Sequence, residues 1–110
     1  MRKLKFIVEG LIIKPDPMCD FSGLVPGSEG YLGAEFSFSQ EWAGYGKVAA
    51  FWSVLGVEYP PAFLADGKSC LIPTEALARR KFKIQIIGKN PVGGRLETNK
   101  LEIEQNGGSV

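Results

Sequence analysis

Residues 3–9 alternate, with Leu4, Phe6 and Val8 on one side and Lys3, Lys5 and Glu9 on the other. A period of two predicts a half-buried strand. Gly10 interrupts the run, Leu11-Ile12-Ile13 resumes it, and Pro15-Asp16-Pro17 ends it, because proline has no N–H to give to a ladder. An edge strand with a bend is expected there. Pro26-Gly27-Ser28-Glu29-Gly30 reads as a turn, after which residues 31–39 alternate again. Leu32, Ala34, Phe36 and Phe38 share one face and Glu35, Ser37 and Ser39 the other, as expected of a central antiparallel strand.

Trp42 lies in a glycine-bearing loop, and residues 47–54 are apolar on both faces, so either Phe51 or Trp52 must turn away from the main core. Gly56 and Tyr59-Pro60-Pro61 separate short strands, and Asp66-Gly67 predicts a hairpin between residues 62–65 and 69–72. Residues 73–77 make at most one helical turn. Residues 81–87 put Phe82, Ile84 and Ile86 inward, and Asn90-Pro91-Val92-Gly93-Gly94 is the next hairpin loop. On the returning segment the inward positions switch from even (Leu96, Thr98) to odd (Leu101, Ile103), which requires a bulge near Asn99-Lys100.

About seven or eight short strands, with turn signals roughly every 8 to 12 residues, predict an all-β fold. A sandwich is favoured over a closed barrel because Pro15, Pro17, Pro60 and Pro61 suit open sheet edges. One domain is expected over residues 1–105, with 106–110 a flexible tail or the start of a linker.

Composition narrows the chemistry. Hydrophobic residues make up 45% of the chain and charged residues 23%, an ordinary globular profile. A net charge of +1 provides no field to gather phosphates, so no nucleic-acid partner is expected. The Arg79-Arg80-Lys81 cluster is the local exception and reads as a solvated strand start. No stretch approaches the roughly 18 to 20 apolar residues that span a bilayer, and no signal peptide is recognisable, so synthesis in a cytoplasm and no membrane partner are expected. Cys19 and Cys70 are too few for a disulfide framework or a zinc site; two free thiols and a single disulfide both stay open.

The chain has no histidine, which removes the commonest general base and the triads built on it. The three glycines of residues 88–94 lie between strands rather than before a helix, so they form no phosphate cradle. Asp16, Asp20, Glu35, Glu97, Glu102 and Glu104 fall on loops or polar strand faces, where no raised pKa is expected. No enzyme, cofactor or metal site is expected. The aromatics Trp42, Tyr45, Trp52 and Tyr59 gather around glycine- and proline-bearing loops and are the candidate interface, although a core role for Trp42 is the ordinary fate of a sandwich tryptophan.

The order of these features resembles small domains encoded among the structural genes of tailed phages and prophages of Gram-positive bacteria. The elements that carry it are Phe36-Ser37-Phe38, Trp42-Ala43-Gly44, Lys47-Val48-Ala49-Ala50-Phe51, Cys70-Leu71-Ile72-Pro73-Thr74-Glu75, Phe82-Lys83-Ile84-Gln85-Ile86-Ile87-Gly88 and Thr98-Asn99. The resemblance implies an antiparallel immunoglobulin-like β-sandwich located on the virion, in a fibre, baseplate or decoration protein. Its partners would be other virion proteins, in a homo-oligomer or on a lattice. The alternative is a carbohydrate-binding module that stacks host-surface polysaccharide on Trp42, Tyr45 or Trp52. A third class, a regulator of a host enzyme, is compatible with a small sandwich.

Overall fold

The computed structural model describes residues 2–24 and 32–105. The alternation at the start of the chain becomes β1 (Arg2–Glu9), with Leu4, Phe6 and Val8 almost wholly buried. Gly10, at φ +55°, turns the chain into the edge strand β2 (Ile12–Pro15), so the expected bend and edge are both present. The turn expected at 26–30 and the tail expected at 106–110 lie outside the described residues.

β3 (Leu32–Phe38) occupies the centre of its sheet as expected, but its pairing with β1 is parallel. The expectation of antiparallel neighbours throughout is corrected here. Alternation reports which face is buried and is blind to strand direction.

A 3₁₀ turn at Gln40–Trp42 leads into β4 (Gly46–Trp52). β4 pairs antiparallel with β5 (Glu58–Phe63) across a bulge between Ala49 and Phe51. Pro60 and Pro61 therefore lie within an edge strand rather than between strands.

The hairpin expected around Asp66-Gly67 is not formed. β5 belongs to one sheet and β6 (Ser69–Leu71) pairs with β3 in the other, so this turn carries the chain across the sandwich. The Asp66 carboxylate accepts from the N–H groups of Lys68 (2.9 Å) and Ser69 (2.7 Å) and from the Ser69 hydroxyl, while Gly67 supplies φ +79°. Those bonds fix a tight turn, but they do not choose which strand follows into which sheet. Leu64, 2% exposed, plugs the crossing.

A single helical turn, α1 (Thr74–Leu77), buries Ala76 and Leu77 ahead of β7 (Lys81–Lys89), whose Phe82, Ile84 and Ile86 are fully inside. β8 (Arg95–Glu97) and β9 (Leu101–Glu104) both pair with β7. Ile87 faces Glu97 but Ile84 faces Leu101, a one-residue change of register, so the bulge expected near Asn99-Lys100 is present. Thr98, 4% exposed, bridges the gap: its hydroxyl accepts from Ile86 N–H (3.0 Å) and its carbonyl from the Gln85 amide (2.8 Å). Asn99 turns to the opposite sheet, where its side chain accepts from Ile13 N–H at 2.8 Å and its own N–H donates to the Leu11 carbonyl.

The chain is thus an all-β sandwich of a four-stranded sheet, β2-β1-β3-β6, and a five-stranded sheet in which β5-β4-β7 is followed by β8 and β9. Nine strands are present among the described residues, against the seven or eight expected, in part because the last segment splits in two. Phe6, Phe36, Phe51, Phe82 and Trp42 form the bulk of the core between the sheets.

Candidate functional site

The β4–β5 connection is built around Ser53. Its hydroxyl accepts from the N–H groups of Leu55 (3.2 Å) and Val57 (3.0 Å). Its own N–H donates to the Val57 carbonyl (2.8 Å), its carbonyl accepts from Gly56 N–H (3.1 Å), and Gly56 sits at φ +90°. This fastened turn nevertheless presents apolar side chains to water: Val54 is 43% exposed, Leu55 91% and Val57 61%. A turn is normally polar, so an ordered turn with an apolar tip is the candidate contact surface of the molecule.

Beside the tip lies a groove of about 490 Å³, lined by Ser53, Val54, Leu55, Val57 and Tyr59 together with Arg79 and Lys81. Tyr59 faces Phe51 in the strand pair and packs partly against the core. Arg79 lies just past α1, where Gln105 holds the backbone. The side-chain amide of Gln105 donates to the carbonyls of Leu77 (3.0 Å) and Arg79 (2.7 Å), and its N–H donates to that of Arg80 (2.7 Å). Lys81 lies near Glu104 (3.5 Å) and Glu102 (3.9 Å), whereas Arg79 has no ion-pair partner among the described residues.

The four expected interface aromatics do not form one surface. Trp42 is corrected: it is 0% exposed, its ring packs beside Phe38 and Tyr45, and its Nε1–H donates to the Gly10 carbonyl at 2.7 Å. A side chain this enclosed has no face left for a partner. Tyr45 is half-buried next to it, at the β4 end where Gly46 faces Lys89. Trp52 faces Lys83 at the other end, about 20 Å along the strand. Phe51 turns in and Trp52 turns out, which resolves the two-faced strand as expected. Trp52 is half-buried on the outer face, its Nε1 has no partner among the described residues, and the Lys100 ammonium lies 3.7 Å from its ring centroid. Tyr59 alone of the four belongs to the groove.

Composition drew attention to aromatics and left Val54, Leu55, Val57 and Arg79 out of the interface. The signal that marks them is three aliphatic residues around Gly56 where a turn should be polar. A second, shallower depression lies on the outer face of the five-stranded sheet between Val48, Ala50, Pro61 and Ile87, beside Phe63, which is 65% exposed.

Asp66 is held down at about 2 by the Ser69 hydroxyl and the two turn N–H groups, and Asp20 is lowered by its bonds to Ser22 and by Arg2. Both move away from the range of a general acid at neutral pH. Burial, with a smaller push from Asp66, raises the Cys70 thiol to about 12. Cys19 and Cys70 are free thiols, Cys19 lying against the Lys5 N–H and Cys70 on β6 beyond β3. Among the described residues no three His, Cys, Asp or Glu side chains gather closely enough to hold a metal ion, and no helix is long and apolar enough to cross a membrane.

Compared with known proteins, the chain matches no family model, no curated protein and no solved structure.

Proposed function

We propose that this domain is a non-enzymatic virion structural or adhesion module of a tailed phage, acting through protein–protein contacts with other virion proteins as a homo-oligomer or on a lattice. The observation that carries the contact reading is the Ser53-fastened turn with Val54, Leu55 and Val57 in water beside an apolar groove. Covering these three side chains is worth about 3–6 kcal/mol before the cost of association. They supply the apolar centre around which a polar rim of ordinary interface size can form. The order of motifs along the chain supports the virion as the location.

Sugar binding has weaker support: the Lys100 ammonium lies over the Trp52 ring where a sugar would stack, and Trp42 is enclosed. The test is mass spectrometry of phage particles purified from a host that carries the gene for this chain. The domain should be present in many copies, and Leu55→Ser should reduce its incorporation while leaving the fold intact. Particles that lack the protein, or that take up the variant as well as the native chain, would overturn the proposal.

A further inference from the structure

We infer that the groove beside the 53–57 turn takes an acidic peptide segment of a partner protein, with an aliphatic or aromatic side chain on the apolar floor and a flanking carboxylate on Arg79. This deepens the contact reading above and rests on it. The argument is charge complementarity. Apart from the Ser53 hydroxyl, the residues of the β4–β5 segment that line the groove bring hydrocarbon and the Tyr59 ring, and the charged groups in the lining are both cations. Lys81 is already engaged by Glu102 and Glu104, so the lining cation without a carboxylate partner among the described residues is Arg79.

Arg79 is also well positioned. Gln105, 1% exposed, grips the carbonyls of Leu77, Arg79 and Arg80, which fixes the backbone that presents the guanidinium. A planar, permanently charged group on a fixed backbone beside an apolar hollow suits a carboxylate next to an apolar side chain. An anionic lipid surface would want a flat, several-fold basic patch, whereas Arg79 and Lys81 border a concave site and Lys81 is already engaged by two carboxylates.

The experiment uses the full chain, isotope-labelled, titrated with the end-blocked tetrapeptide Glu-Leu-Phe-Glu and with its counterpart in which lysine replaces both glutamates. Backbone amide shifts of residues 53–59 and 79 are read by NMR. The acidic peptide should bind saturably, with Kd on the order of millimolar, and about five-fold more tightly than the basic one. Arg79→Glu should reverse that preference, and Leu55→Asp should abolish binding of both. Equal binding of the two peptides, no saturable shift with the acidic one, or shifts only with phosphatidylserine vesicles would each overturn the inference. Those results leave the contact reading standing as long as Leu55→Ser still impairs incorporation into particles, so the two can fail separately.

Discussion

Replacing Gly88 with alanine probes a close approach between a strand backbone and the core indole. A Cβ at this position would lie 2.8 Å from Cζ3 and 3.1 Å from Cε3 of Trp42, and 3.3 Å from Cβ of Tyr45. The indole cannot step aside, because it is wholly enclosed, pinned by its bond to the Gly10 carbonyl and flanked by Phe38 and Tyr45. Overpacking of this kind costs about 1–3 kcal/mol. Against it stands a gain of about 0.4–1 kcal/mol from stiffening the unfolded chain, since Gly88 is not among the glycines with positive φ and its backbone accepts alanine. The net loss should be about 1–2 kcal/mol, or roughly 5–15 °C in Tm. Urea denaturation followed by tryptophan fluorescence measures it. A second variant, Gly88→Ala with Trp42→Phe, should cost less than the sum of the two single changes, because the smaller ring vacates the space the methyl needs. A Gly88→Ala protein as stable as the native one, or strict additivity in the double variant, would refute the packing argument.

Gln105→Leu removes two donated bonds and strands the buried Leu77 carbonyl, so stability should fall by about 2–3 kcal/mol, read as a lower urea midpoint at unchanged slope. The carboxyl of Asp66 is depressed from the model-compound value of 3.8 to about 2, so its contribution to the turn is complete above pH 4 and disappears as pH falls through 2. NMR titration of the Asp66 side chain should place its midpoint near the lower value, and Ser69→Ala should move it upward. The thiol of Cys70, pushed up to about 12, should react with maleimide at pH 8 more than a hundredfold more slowly than an unhindered cysteine placed at the exposed position 92, as followed by mass spectrometry.

What was legible in the sequence was whatever depends on one strand at a time. Leu4, Phe6 and Val8 went inward because alternation with lysines leaves no other arrangement, and the parity switch between Thr98 and Leu101 marked a real change of register. The direction of β3 relative to β1, and the passage of residues 63–69 from one sheet to the other, were not legible. Both depend on which strands meet, and a half-buried strand has the same face pattern whichever neighbour it takes. The site followed the same division. The apolar density of β4 required either Phe51 or Trp52 to turn outward without choosing between them, and Trp52 is the one that does. Trp42 was misplaced among the interface aromatics because its partner, the Gly10 carbonyl, lies far away in sequence.

The kink at Asn99 has a consequence for how copies of this chain coexist. Ile13 points its N–H and C=O away from β1, toward the side where another molecule's strand would add. The Asn99 side chain occupies both groups, and its main chain takes the Leu11 carbonyl, so this border of the four-stranded sheet is already paired from within. At the far border of the other sheet, Pro60 and Pro61 withhold donors instead. With these two seams closed to ribbon growth, a high local concentration of the protein favours contact through side chains over the backbone pairing that leads to fibrils.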